Sequence, residues 1–229
     1  MPRSPTRQLV RDELIGFARS RVMLVLWVVL PCIALAGFLL LRGRALHGAR
    51  ADMSAAAFMS FLESSLASTA AALMIAVDLV SERNRNVYPL LVIRPVRREV
   101  IVWAKFVAVA GCVAIACVVS ISLGVVVDLA YGVTPTAAGL SATGQALVQM
   151  IALIALSTAA GAVFGVLTRS IVVAVLLVLY VGQNVAGLVM LPVYLGVLRD
   201  QFWLLMALAG ALAVVVLWLA GRAFRRIQL

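Results

Sequence analysis

Charge is scarce in this sequence. Only 12% of the 229 residues are charged and 65% are hydrophobic, where a soluble domain is about one quarter charged and one half apolar. That excludes an ordinary water-soluble fold, and so much apolar side chain also excludes a solvated, disordered chain. There is one lysine, Lys105, in the context Trp-Ala-Lys-Phe. A P-loop needs G-x-x-x-x-G-K-[ST], because its lysine reaches the nucleotide phosphates. No glycine loop precedes Lys105, so the chain does not hydrolyse nucleotide by that route. There is one histidine, His47, in a short loop between apolar runs. It cannot activate a serine buried in the membrane, and a lone loop histidine is usually just solvated. The three cysteines, Cys32, Cys112 and Cys117, all lie inside apolar runs and imply no disulfide framework. Cys112 and Cys117 would point about 140° apart on a helix, which builds no metal-binding face. The eight methionines are scattered and read as packing rather than as a copper site.

What is present is apolar length. Mean hydropathy is +1.14, and the apolar residues suffice for six membrane helices of about 20 residues each. Period-2 alternation is absent and an open sheet cannot satisfy its backbone in lipid, which favours helices over a barrel. The predicted spans are Val22–Leu41, Ala55–Val80, Val100–Leu129, Gln145–Thr168, Ile171–Met190 and Phe202–Ala220. The expected fold is therefore all-α and polytopic, a single membrane domain over residues 1–229. The polar stretch before Val22 is too long for the n-region of a cleavable signal peptide. Within it, Val10, Leu14, Phe17 and Ala18 recur at helical spacing while Arg7, Arg11 and Arg19 lie largely elsewhere. This predicts an amphipathic lead helix at the membrane surface, within residues 1–21, whose arginines meet anionic lipid.

The net charge of +10 does not form a nucleic-acid face, because the arginines sit in short blocks between apolar runs. Counted by side, the termini with loops two and four hold 15 Arg and Lys, and loops one, three and five hold four. Cytoplasmic flanks hold the excess of Arg and Lys, so both termini are expected in the cytoplasm. High alanine and arginine use fits a bacterial origin, and the expected location is the bacterial inner membrane.

Loop two, residues 81–99, is the most informative segment. It begins Ser81-Glu82-Arg83-Asn84-Arg85-Asn86 and ends Arg94-Pro95-Val96-Arg97-Arg98, with Leu90, Leu91 and Ile93 between. Asn86 suits a left-handed helix stop, and Pro89 and Pro95 suit the first turns of new helices. A short helix over Pro89–Ile93 would offer Leu90, Leu91 and Ile93 to a protein partner within a rim of arginines. The alternative is an amphipathic loop lying on lipid.

Glu82-Arg83, Leu90-Leu91, Pro95, Arg97-Arg98 and Lys105 resemble the signature of ABC type-2 transporter permeases. Asn84 and Asn86 stand where that family has a second glutamate and a glycine, and Asn84 lacks the carboxylate's charge. The resemblance implies a half-transporter: two permease copies, as a homodimer, over two separate ATP-binding subunits that hold ATP and Mg. The loop-two segment would be the coupling helix. Glu82, Arg83, Asn86, Leu90, Leu91, Ile93, Pro95, Arg97, Arg98 and Lys105 would form the docking and coupling site. The chain itself would bind no cofactor and perform no hydrolysis. Export is an implication of the resemblance, and so is a narrower kinship with haem- or copper-enzyme maturation permeases, for which no dedicated site is visible.

Inside the apolar runs, Glu63 stands out. An ionised side chain at the bilayer centre costs at least ~2.5–3.5 kcal/mol. With Ser60, Ser64 and Ser65 it is a candidate for a transport path, unless it sits at the outer headgroups. Gln183 and Asn184 interrupt the fifth run and are candidates for the same path, and a re-entrant turn is expected around Met190–Arg199. Asp78 and Asp128 read as interfacial. Ser157, Gly161 and Gly165 form a small-xxx-small series for close helix packing, within the chain or at a dimer contact. Two other classes stay open: a proton-coupled carrier using Glu63 or Asp128, though no inverted repeat supports it, and a non-transporting scaffold.

Overall fold

A computed structural model describes residues 5–45, 55–85, 98–130, 137–194 and 201–226. Every regular element among them is helical. The helices are α1 (Pro5–Ala18), α2 (Arg21–Ala45), α3 (Ala55–Asn84), α4 (Arg98–Ala130), α5 (Ala137–Leu167), α6 (Ile171–Leu177), α7 (Gln183–Tyr194) and α8 (Phe202–Arg226). A π-helical turn, Val178–Gly182, joins α6 to α7. Five segments are long and apolar enough to cross a membrane, and a sixth arises if the bent α1–α2 pair is one span. This is the polytopic all-α architecture that the hydropathy predicts.

The helices overrun the predicted spans, because hydropathy marks the bilayer and not the helix. α5 begins at Ala137, two turns before Gln145. Its polar first turns hold helical form, and Thr143 Oγ1 donates to the Gly139 carbonyl at 2.9 Å. α8 likewise continues through Arg225 and Arg226, basic residues in a last turn where the helix dipole favours them.

α3 and α5 make the most extensive helix contact, and the sequence explains how they approach. A Cβ at Gly161 would run into the Ala72 backbone, and one at Gly165 would lie 2.9 Å from Ala76 Cα. Only glycine permits this distance. Two glycines one turn apart thus meet two alanines one turn apart in the same order, so α3 and α5 run parallel. Parallel direction is what the second and fourth crossings of a serpentine chain must have. The small-xxx-small series therefore serves packing inside the chain.

α4 is the other organiser. It packs on α1, α2, α3 and α8, with Val102, Ala104, Val113, Ala116 and Cys117 fully enclosed. The most buried candidate span is α5, at 61%, whereas the α6–α7 span and α8 bury only 22% of theirs. Those two carry an apolar outer surface that includes Val172, Leu188, Leu204 and Leu208, as a lipid-facing helix does.

The lead helix α1 forms as expected, but its apolar stripe is occupied by protein. Leu9 is buried, and Val10, Leu14 and Phe17 pack against the core, chiefly on α4. α1 then bends by 61° into α2. Ser20 makes the bend by capping α2, with its Oγ accepting from the Met23 amide at 3.2 Å.

The fifth span corrects one expectation. No re-entrant turn begins at Met190; α7 continues as helix through Tyr194, with Pro192 inside it. Residues 195–199 lie outside the described set. The interruption falls earlier, as the π-turn before Gln183, where Gly182 seats against the Phe164 ring of α5, a Cβ there lying 3.3 Å from it. A π-turn inserts one residue into a helix and re-aims the turns beyond it.

Candidate coupling site

The ends of α3 and α4 define the two roots of the segment 86–97. At the α3 root, Asp78 and Glu82 are one helical turn apart and so share a face. At the α4 root, Lys105 is two turns in and points back at them. Lys105 Nζ donates to Asp78 Oδ2 at 2.6 Å and to Glu82 Oε1 at 2.7 Å. It also reaches Glu13 Oε2, on α1, at 3.4 Å. The lysine is 2% exposed, while the carboxylates keep 24% to 42% exposure.

Burial explains why three acids gather on one base. An ammonium group removed from water needs close counter-charge and satisfied donors. Lys105 has three donors and three carboxylate acceptors. The cluster carries a formal excess of two negative charges, relieved by the partial exposure of the acids. Glu82 Oε2 is buried and has no hydrogen-bond partner among the described residues.

Further contacts knit the same end of the bundle. Arg83 Nη1 donates to the Val166 carbonyl at 3.2 Å. That carbonyl belongs to the last turn of α5, where four carbonyls lack helical donors and the dipole favours a cation. Asn84 Nδ2 donates to the Arg169 carbonyl at 3.4 Å, a role that a carboxylate could not fill. Glu99, in the first turn of α4, pairs with Arg225 of α8 at 2.8 Å. The roots of segment 86–97 are thereby tied to α1, α5 and α8.

Of the ten residues expected at the coupling site, the structure brings Glu82 and Lys105 into contact and sets Arg83 on α5. Arg98 opens α4, with only its backbone described. Asn86, Leu90, Leu91, Ile93, Pro95 and Arg97 lie outside the described residues, as does the expected Pro89–Ile93 helix. Sequence reasoning misses two members of the cluster. Asp78 reads as interfacial only, although its spacing from Glu82 marks a shared face. Glu13 sits beside Leu14 on the inward side of α1, and a carboxylate there signals a buried cation.

The candidate path residues occupy two places. Glu63 is completely enclosed, and its Oε1 accepts from Ser120 Oγ of α4. Its carboxyl is thus turned into the chain's own helix bundle. Ser64 is buried beside it, and Ser60 lies three residues earlier on α3, with only its backbone described. Gln183 is half-buried, with a buried Nε2 that lacks a partner among the described residues. Asn184 is exposed, and its Nδ2 donates to the Tyr180 carbonyl. No hydrogen bond among the described residues joins Glu63 to Gln183 or Asn184. Ser65 is exposed, and its carbonyl accepts from Ser68 and Thr69.

Among the described residues there is no group of three His, Cys, Asp or Glu side chains that could hold a metal ion. What the arrangement offers is mechanical: a segment whose two roots are tied across a buried lysine and to three other helices. No curated protein matches the chain. A family model described as ABC-2 family transporter protein matches residues 9–184, a stretch that runs from α1 to the start of α7 and holds every member of the lysine cluster. The protein belongs to the ABC-2 family of transporter proteins.

Proposed function

We propose that the chain is the membrane-spanning permease subunit of an ATP-driven exporter. Segment 86–97 docks a separate ATP-binding subunit, with Leu90, Leu91 and Ile93 as the apolar contact and Arg94 and Arg97, with Arg98 at the start of α4, as the polar rim. Two permease copies pair over two ATPases, which hold ATP and Mg. Both termini and the docking segment face the cytoplasm of a bacterial inner membrane, in keeping with the 15-to-4 distribution of Arg and Lys.

The observation that carries this reading is the clamp at Lys105. A docking segment transmits a push only if its roots do not part. Here α3 and α4 are tied at the base by Asp78, Glu82 and Lys105. A displacement of the segment therefore moves both helices together. α3 passes it to α5 through the glycine contacts, and α4 passes it to α8 through Glu99 and Arg225. Alternating access at the interface between permease copies follows from that tilt. Of the expected path residues, Gln183 and Asn184 on the less buried fifth span are the candidates for it, whereas Glu63 and Ser64 are enclosed in the chain's own bundle. A proton-coupled carrier would require water at Glu63, which is wholly enclosed.

The test is co-purification from mild detergent with an ATPase assay. The tagged chain should bring down a nucleotide-binding subunit, and the Leu90→Asp/Leu91→Asp variant should lose it. Failure of any ATPase to associate across several detergents would sink the reading.

A further inference from the structure

The elbow between α1 and α2 carries a basic surface that the coupling site does not use. Arg7, Arg11, Arg19 and Arg21 are all exposed. Among the described residues none of the four has a carboxylate within ion-pair distance; the described ion pairs involve only Lys105 and Arg225. Asp12 is the one acid exposed on α1. The other acid, Glu13, is turned inward to Lys105. The outward surface of the elbow thus carries four arginines against one acid.

The residues adjoining these arginines fix their position. Immediately after Arg21, α2 exposes Val22, Leu24 and Val25 at 56–60%, and Trp27 at 42%. These side chains need an apolar solvent, which sets the edge of the acyl region at the first turn of α2. Arg19 and Arg21 flank Ser20 at that edge. α1 leaves it at 61° to α2, which turns its axis, about 20 Å long at 1.5 Å per residue, toward the headgroup layer. Arg7 and Arg11 extend the basic surface along that layer. An aromatic indole at the same boundary, Trp27, suits an interfacial anchor.

We infer that the α1–α2 elbow is a binding site for an anionic phospholipid, with Arg11, Arg19 and Arg21 at the phosphate headgroup and the exposed Val25 and Val28, which share the face of α2 that Arg21 begins, lying along the acyl chains. The pairing of bare guanidinium groups with lipid-exposed apolar side chains selects a lipid over a free anion. The inference is independent of the partner ATPase; it requires only that α2 enters the bilayer.

The experiment is native mass spectrometry of the purified full chain in mild detergent. It is titrated with phosphatidylglycerol or with phosphatidylcholine of the same acyl chains. Each arginine near the headgroups favours the anionic lipid by up to about fivefold at low salt. The expected result is a preference for phosphatidylglycerol of at least about tenfold, which shrinks as salt shortens the Debye length. The R11Q/R19Q/R21Q variant should fall below about twofold, and R11K/R19K/R21K should keep most of the preference. Equal retention of the two lipids overturns the inference, as does a preference that survives R11Q/R19Q/R21Q. If that variant does not fold by circular dichroism, the salt series on the wild-type chain decides, and a salt-independent preference overturns it. Displacement of phosphatidylglycerol by millimolar inorganic phosphate would mean a free-anion site, and displacement by an equimolar polyglutamate peptide would mean an acidic protein surface; either result rejects the lipid.

Discussion

Replacing Lys105 by Met isolates the clamp, because Met keeps most of the side-chain volume and removes the charge. The three carboxylates then face one another without a counter-ion. Their costs differ with exposure. Asp78, at 42%, can turn to water, so its lost pairing is worth no more than about 1 kcal/mol. Glu82, at 24%, already has one buried oxygen without a partner, so it bears most of the penalty. Removing one member of a buried ion pair costs about 3–5 kcal/mol, and partial exposure puts this case near the low end. Lys105→Met should therefore destabilise by about 3 kcal/mol. The assay is denaturant unfolding in mixed micelles, followed by tryptophan fluorescence. Trp103 is a local reporter, two residues from Lys105 and edge-on to Phe106. The decisive comparison is the double variant. Glu82→Gln alone should cost about 1.5–3 kcal/mol, as a hydrogen bond to a charged group does. Combined with Lys105→Met, it should add little or partly restore stability, since the stranded charge is gone. A coupling smaller than about 0.5 kcal/mol, the scatter of independent sites, would refute the reasoning, as would a Lys105→Met variant of wild-type stability.

Other substitutions separate strong contacts from weak ones. Gly161→Val should cost about 3 kcal/mol or more by forcing α3 and α5 apart, as overpacking of a filled site does. Gly111→Ala, where nothing lies within 4 Å, should be tolerated; both are read by the same unfolding assay and by the monodispersity of the purified chain. Arg225→Gln should change stability by less than about 1 kcal/mol, because the Glu99–Arg225 pair is solvent-exposed. Orientation is tested with alkaline phosphatase fusions: activity is expected after residue 133 and none after residue 87. The reverse pattern would invert the proposed topology.

Much of this architecture is legible in the sequence, because lipid imposes a coarse rule that composition obeys. Apolar length locates the spans, and a lysine opening the third span signals that its base matters. The partners of that lysine are harder to read. Glu13 and Lys105 are 92 positions apart, and only the packing of α1 on α4 joins them. The Glu63–Ser120 contact is hidden for the same reason: a serine in an apolar run bonds its own helix or a neighbour equally well. Ser122, on the same helix, returns its hydroxyl to the Val118 carbonyl. The π-turn leaves no mark that hydropathy can see, since Val178–Gly182 is as apolar as ordinary helix. Gln183 and Asn184 do mark an interruption, but the backbone change precedes them.

The burial of Lys105 has a consequence for chemistry at amines. It is the chain's only lysine, and it is held at 2% exposure among three acids. Amine-directed reagents, whether acylating labels or aldehyde fixatives, find no accessible lysine side chain while the cluster is closed. Acylation of Lys105 would accordingly report its opening, at one position and against no background from other lysines. A clamp that holds while the segment is pushed would leave Lys105 unacylated through the cycle, and the mass of one peptide would show whether it does.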